Sequence, residues 1–539
     1  MNRPSDAQTV PALLADMRRL GGHPAIVDAG DIVTYGELEE RVHEVSRAYL
    51  ANGVRRGDRV GLWAPNTIGY ILAMLGAQSI GAAIVPINTR FTGPEGAAVL
   101  GRSRAGVLVV SDGFLGKSFS AILTRAVEES LVADPVSGGL PDLTRIVGLG
   151  SRPHGPLGMD WSEFLDSGRA IDDATLQRAL AEVEPDDVMD ILFTSGTTGL
   201  PKGAMTAHRQ TIGVARAWAN GADLVPEDRY AVVNPFFHGF GYKAGIVASL
   251  VTGATIYPVA TFDPDALLEL VQSERISVLP GVPTIFTTLI DHPRRSEYDL
   301  SSLRFAIAGA TAAPETLFRD MVEILGFQRV AQAYGLTECI VATISRPGDS
   351  LEHIRQTTGP AVEGTEIRIV DERGDDLPVG ADGEILLRGD NVMLGYFEDD
   401  AATRAAIDDD RWFHTGDVGR LDEHGCLKIT DRLKDMFIVG GFNVYPAEVE
   451  NVLRQHPAVN ESAVIGVDDE RLGAVGRAFV LLRQDALERP DAAALTAFCR
   501  DRLANFKVPR EFVFVEDFPR NATGKIMKAQ LPKGAEGRA

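Results

Sequence analysis

The chain has 539 residues, 45% of them hydrophobic and 24% charged, more apolar material than one compact core uses, so two or more domains are expected. Its 53 Lys+Arg against 75 Asp+Glu give a formal charge of −22, which argues against nucleic acid or an anionic membrane as the main partner. Cys339, Cys426 and Cys499 are odd in number and lack metal-ligand spacing, so they read as neither a disulfide framework nor a zinc site, in keeping with a reducing cytoplasm.

The opening MNRPSDAQTVPALLADMRRLGG has no long apolar run and does not read as a signal peptide. RVGLWAPN reads as a buried strand. Residues 68–86, IGYILAMLGAQSIGAAIVP, carry no charge over about the length of a membrane span. Gly76, Gln78, Ser79, Gly81 and Pro86 interrupt that run, so it reads as a buried helix followed by a buried strand. GVLVVSD, residues 188–193, ATIYPV, SVLPGVP and RFAIAGA read as further strands, with helices over DALLELVQSE and PETLFRDMVEILG. Such alternation predicts a layered α/β architecture. Near Val362 the style changes to strands joined by charged, Gly-rich turns, which predicts a small barrel-like section. After Asp431 the pattern is that of a compact α+β unit of roughly 100 residues. The expected organisation is an N-terminal domain over 1–432 and a C-terminal domain over 433–539.

Residues 191–205, ILFTSGTTGLPKGAM, hold the densest chemistry. Gly196, Gly199 and Gly203 leave the backbone free to curl, so that N–H groups point inward. Thr194, Ser195, Thr197 and Thr198 add hydroxyl donors, and Lys202 adds a positive charge. A strand followed by such a loop is suited to cradling phosphate. The spacing is not the G-x-x-x-x-G-K-S/T of a Walker A loop, because Lys202 follows Gly199 too closely and precedes a glycine.

TSGTTGLPKG resembles the signature loop of the adenylate-forming superfamily, which includes acyl-CoA synthetases, peptide-synthetase adenylation domains and firefly luciferase. Other motifs resembling that family follow in order. Pro235-Phe236-Phe237-His238-Gly239-Phe240-Gly241 looks like the aromatic-His gate, and Tyr334-Gly335-Leu336-Thr337-Glu338 like the YGxTE motif. Trp412-Phe413-His414-Thr415-Gly416-Asp417 looks like the aromatic-x-x-T-G-D motif, Asp431-Arg432-Leu433-Lys434-Asp435 like the hinge, and Pro519 to Lys525 like the C-terminal lysine motif. The resemblance covers essentially the whole chain.

The resemblance implies roles for these residues. ATP would be held by Thr194 to Gly199 and Lys202, with Tyr334 stacking on adenine, Thr337 bonding the α-phosphate and Asp417 accepting from both ribose hydroxyls. Arg432 would bond ribose or phosphate, Ala308-Gly309-Ala310 would lie between adenine and the acyl pocket, and Gly335 would belong to both the nucleotide and the acyl sites. Glu338, a hard oxygen ligand, would hold Mg²⁺. Lys525 would bring the carboxylate and the α-phosphate together. Lys434 would be the hinge about which a mobile C-terminal domain rotates for the second half-reaction. Gly440, Gly441, Phe442 and Asn443 would then line the pantetheine tunnel. In family proteins with a similar P-x-x-x-x-G-K motif the lysine is often acetylated, which would remove the charge of Lys525.

A free-standing chain with the segment GGFNVYPAEVE resembles acyl-CoA ligases, so CoA is the expected acceptor. NPFFHGFGYKAGI and the segment from Ile429 to Glu450 look especially similar to actinobacterial ligases of steroid degradation, which act on a bicyclic propanoate. Phe237, His238, Tyr242, Lys243, Val282, Pro283, Gly309, Ala333 and Gly335 are the candidate pocket residues, with Tyr242 and Lys243 as donors to a ring ketone. The alternatives are a medium- or long-chain fatty acyl-CoA ligase, an acyl-AMP ligase loading a carrier protein, and a non-catalytic nucleotide-binding relative, which would be expected to lack Lys525 or Glu338. The expected setting is cytoplasmic, with ATP, Mg²⁺, CoA and a small carboxylic acid as ligands, no nucleic acid and no integral membrane association. A homodimer and a lysine acetyltransferase acting on Lys525 are compatible further partners.

Overall fold

The computed structural model describes residues 4–133, 139–195, 201–309, 316–371, 373–432, 437–444, 446–483, 486, 488–519, 526 and 528–532. The chain divides into two compact units. One comprises Met1–Thr89, Val99–Phe193 and Gly203–Asp431; the other comprises Arg90–Ala98, Thr194–Lys202 and Arg432–Ala539.

The first unit is layered α/β, as its strand-helix alternation predicts. An eight-stranded sheet runs, in spatial order, Gly395–Tyr396, Pro201–Ala207, Val188–Ser195, Ala83–Pro86, Arg59–Trp63, Val107–Val110, Arg145–Gly148 and Gly158–Asp160. Its inner strands pair in parallel, and Ala83–Pro86 and Val107–Val110 are buried throughout. A parallel sheet covered on both faces needs such unbroken apolar runs. The charge-free segment resolves as expected into the buried helix Ile68–Gln78, capped by Thr67 accepting from the Tyr70 N–H, and the strand Ala83–Pro86. No helix among the described residues is long and apolar enough to cross a membrane.

A second sheet positions the site. Asp31–Thr34, Pro24–Asp28, Thr255–Pro258 and Arg229–Val232 form one group, and Phe305–Ala308, Arg329–Leu336 and Cys339–Ile344 another. SVLPGVP, read as a strand, is not one. It joins the groups only through isolated parallel bridges, Val278 to Tyr230 and Phe305, and Gly281 to Ala308. Pro280 and Pro283 have no N–H to continue a ladder. Where the sequence changes style, Thr365–Val370, Gly383–Gly389, Phe413–Leu421 and Leu427–Arg432 form an antiparallel sheet.

In the second unit the long antiparallel pair Val459–Asp469 and Gly473–Leu482 is flanked by Phe437–Val439 on one side and by Glu511–Val515 in parallel. The helices Pro446–Arg454 and Ala492–Arg500 supply Val449, Leu453, Leu495 and Cys499 to its core.

Candidate active site

In the second sheet the parallel segments Arg229–Val232, 276–281, Phe305–Ala308 and Arg329–Leu336 end on the same side. Ligands in open α/β sheets bind at such carboxyl ends. The gate residues follow the first of these ends, Val282 the second, Gly309 the third, and Ala333 to Gly335 close the fourth. The Gly309 N–H donates to Gly281 O at 3.3 Å. A Cβ added to Gly309 would lie 3.8 Å from Ala333 O and 3.9 Å from the Phe240 ring, so Gly309, Ala333 and Phe240 face one another.

The gate loop is held by a residue that the motifs did not reveal. Asn66 accepts from the Phe236 N–H at 2.8 Å and donates to Asn234 O at 2.9 Å and Val232 O at 3.1 Å. Phe237 is half-buried and His238 is exposed, its Nδ1 accepting from the Phe240 N–H at 3.1 Å. A Cβ on Gly241 would meet Pro235 O at 2.3 Å, so only glycine fits there.

The YGxTE segment is the bend of a hairpin. Leu336 pairs with Cys339, leaving Thr337 and Glu338 as a two-residue turn. Neither has a positive φ, so the turn is not of the primed kind that matches strand twist. The mismatch is absorbed next to it, by a register shift between Tyr334 and Leu336 and by Val341 at φ 57°. Gly335 sits inside this irregularity, where a Cβ would lie 2.5 Å from the Val341 N. The Glu338 carboxylate accepts from the Tyr396 hydroxyl at 2.8 Å, and its carbonyl from the Met393 N–H at 2.8 Å.

Asp417 is turned inward by a bulge. Glu384 pairs with Val418 and Leu386 with His414, so the Phe413–Leu421 strand carries extra residues at that point, with Gly416 at φ 67°. The Tyr334 hydroxyl donates to Asp417 Oδ2 at 2.6 Å, and both side chains are buried. Burial and the nearby carboxylate push the Tyr334 phenol well above its ordinary pKa. Trp412 of the same motif is buried with the Arg388 guanidinium 4.4 Å from its ring centroid.

Tyr242 and Lys243 require a correction. They were expected to offer donors to a ring ketone, but both are buried and bonded to the protein. Lys243 Nζ lies 3.1 Å from Asp190 Oδ1 and donates to Thr206 Oγ1 at 2.6 Å. The Tyr242 hydroxyl donates to Asp190 Oδ2 at 3.3 Å and accepts from Gln78 at 2.7 Å. A buried ammonium needs a carboxylate more than a ketone.

Thr194 lies near the end of Val188–Ser195 and Lys202 near the start of Pro201–Ala207; both are half-buried. Gly196, Thr197, Thr198, Gly199, Ala310, Lys434 and Lys525 lie outside the described residues, as do the side chains of Ser195, Arg432 and Asn443. In the second unit Val439 pairs with Phe442, so Gly440 and Gly441, at φ 54° and 86°, are the two residues of a tight hairpin turn. That geometry alone calls for glycine. Phe442 stacks on Phe506 with ring centroids 4.7 Å apart. Elsewhere, ligand atoms of His353, Asp422 and Cys426 lie within 4.8 Å of one another, which the spacing of the cysteines did not suggest. There Asp422 Oδ1 already closes the turn by accepting from the His424 and Cys426 N–H groups.

The AMP-binding enzyme model matches residues 14–397, and the AMP-binding enzyme C-terminal domain matches residues 448–525. The chain belongs to the AMP-binding enzyme family. Within it the chain is an acyl-CoA ligase of the AMP-forming kind. It is 46% identical over 97% of its length, and 98% of the relative's, to a 3-[(3aS,4S,7aS)-7a-methyl-1,5-dioxo-octahydro-1H-inden-4-yl]propanoyl:CoA ligase of Rhodococcus jostii. A ligase of the same name from Mycobacterium tuberculosis is 47% identical, covering 98% of this chain and 99% of its own. Among solved structures, the o-succinylbenzoate CoA synthetase MenE of Bacillus subtilis, a double mutant bound to a product analogue, superposes with a TM-score of 0.78 at 27% identity, over 96% of this chain and 98% of that one.

Proposed function

We propose that this ligase activates a steroid-derived bicyclic propanoate in two steps. The acid's carboxylate oxygen attacks the α-phosphorus of ATP, the bond to pyrophosphate breaks, and acyl-AMP forms. The CoA thiolate then attacks the acyl carbonyl and AMP leaves. The near full-length identity of 46–47% to the two indenyl-propanoyl:CoA ligases carries the reading of the acid. Gly309, Ala333 and Phe240, which face one another, are read as a wall for the ring body, with Val282 at the end of the neighbouring segment and the carboxylate directed toward Thr337. With Tyr242 and Lys243 engaged elsewhere, the reading assigns them no contact with the acid.

In this reading the loop from Thr194 to Lys202 offers amides, hydroxyls and one ammonium to the triphosphate, and Lys525 brings the two reacting anions together. Tyr334 gives adenine an aromatic face while holding Asp417 for the ribose hydroxyls. Arg432 adds a donor to the ribose or phosphate. Glu338 fits Mg²⁺: it is a hard carboxylate at the bend of a turn, oriented by Tyr396, and this cation takes one or two carboxylates together with substrate phosphates and water. Bound there, Mg²⁺ would neutralise phosphate charge. Lys434 is the hinge, 1–432 and 433–539 are the domains it joins, and Gly440 to Phe442 face the pantetheine arm. The setting is the cytoplasm.

AMP release with ATP, Mg²⁺ and CoA, measured across bicyclic, aryl and straight-chain acids, tests the reading. A sharp preference for the bicyclic propanoate is expected, together with a strict requirement for CoA in the second step. Ready turnover of octanoate with none of the bicyclic acid would overturn the substrate. Transfer to a carrier protein in place of CoA would overturn the acceptor.

A further inference from the structure

Asp190 lies in the strand that leads into the Gly-rich loop, four positions before Thr194, and is completely buried. Four side chains converge on it. Oδ1 accepts from Thr206 at 2.6 Å and faces Lys243 Nζ at 3.1 Å; Oδ2 accepts from Thr211 at 2.7 Å and Tyr242 at 3.3 Å. Thr206 belongs to Pro201–Ala207, the strand that leaves the loop, and Thr211 to the helix His208–Gly221 that follows. Tyr242 and Lys243 come from the segment directly after the gate. That segment, Tyr242–Val247, is wound as a π-helix, a rare form that is frequent at functional sites. The gate end is fixed on its other side too, since a Cβ on Gly239 would lie 1.9 Å from Ile340 Cδ1, two residues beyond Glu338.

A fully buried ion pair is a poor source of stability, because desolvating two charges cancels most of their attraction, and apolar replacements are often as stable. Its best-attested use is to fix one arrangement over others. We infer that Asp190 and Lys243 form a positioning pair that locks the gate segment carrying His238 to both strands flanking the Gly-rich loop, so that the carboxylate and phosphate ends of the site keep register during adenylation. This rests on the proposed adenylation reaction. Neither residue touches substrate. Both act through the elements that they join.

The test compares Lys243→Met, Asp190→Asn and the charge-neutral double variant in thermal stability, in acyl-AMP formation and in thioester formation from supplied acyl-AMP. Each single change should lower Tm, since it leaves one buried charge uncompensated, and the double variant should regain most of that loss. Adenylation in the double variant should stay at least about 10-fold below wild type, since small misplacements far from the chemistry are costly. Thioester formation should stay within about 2-fold of wild type, because the supplied adenylate arrives already joined. Recovery of adenylation together with Tm would overturn the inference and leave the pair a stability element. If the double variant fails to fold, Thr206→Val decides: it removes the hydroxyl between Asp190 and Lys243 but keeps both charges. A loss confined to adenylation then supports the pairing role, and unchanged adenylation overturns it. Wild-type enzyme that forms no acyl-AMP from any acid would sink the proposed function instead, and is read in the same assay.

Discussion

The Tyr334 phenol donates to Asp417 across 83 residues of chain, at 2.6 Å. Two motifs that read as separate ligands of one nucleotide are therefore a single unit, in which the ring's position and the carboxylate's orientation fix each other. Tyr334→Phe keeps the ring and removes the donor. Depriving a buried carboxylate of one donor costs about 1–3 kcal/mol. The KM for ATP should rise on the order of 10-fold while the KM for the acid changes little, as read from pyrophosphate release. An unchanged KM for ATP would mean that the bond does not prepare the nucleotide site.

Glu338→Gln keeps the shape at the bend of the turn and removes the charge. The Mg²⁺ concentration needed for half-maximal adenylation should rise, and the rate at saturation should fall on the order of 10²–10³-fold, as for loss of one pre-organised electrostatic group. Tyr396→Phe, which frees one Glu338 oxygen, should show the same Mg²⁺ shift in milder form. A normal Mg²⁺ titration of Glu338→Gln would move the metal elsewhere.

The two half-reactions should separate on two lysines. Lys525→Ala, or acetylation of Lys525, should depress acyl-AMP formation on the order of 10²–10³-fold while supplied acyl-AMP is still converted to thioester. Lys434→Pro should do the reverse by stiffening the proposed hinge. Equal damage to both steps in both variants would contradict a two-pose cycle.

Acid stability should depend on His208. It is completely buried, with Nδ1 accepting from the Val10 N–H at 3.3 Å. Burial pushes its pKa from 6.5 down to about 4, against the opposing pull of Asp187 and Asp190. The folded state thus favours the neutral ring. Its contribution is fully present above 6.5 and is lost as pH falls from there toward about 4. A shift of this size corresponds to on the order of 3 kcal/mol. Urea midpoints of wild type should fall steeply across that window, and those of His208→Gln less so. Parallel slopes would clear His208.

Much of this was legible in order along the chain. Apolar runs such as Val107–Val110 and the helix Ile68–Gln78 announce themselves because burial on both faces leaves no room for polar residues. SVLPGVP misled because its valines and leucine read as strand while its prolines, which remove ladder donors, weigh little in an apolar pattern. Tyr242 and Lys243 misled for a different reason. The carboxylate that claims them lies 52 residues earlier than Tyr242, and no local spacing reveals it. Tyr396, 58 residues from Glu338, and Asn66, 170 residues from Phe236, were hidden in the same way. The residues proposed to touch a ligand sit in compact motifs, whereas those that hold them are scattered by topology.

The hairpin bend at Thr337 and Glu338 has no slack. Leu336 and Cys339 are paired on either side of it, and Tyr396 reaches the carboxylate at 2.8 Å. One inserted residue would advance Glu338 by about 3.3 Å, past hydrogen-bond reach of that hydroxyl. The bend therefore works as a ruler. The number of residues in it cannot change, and insertions or deletions should be borne by other loops of the molecule before this one.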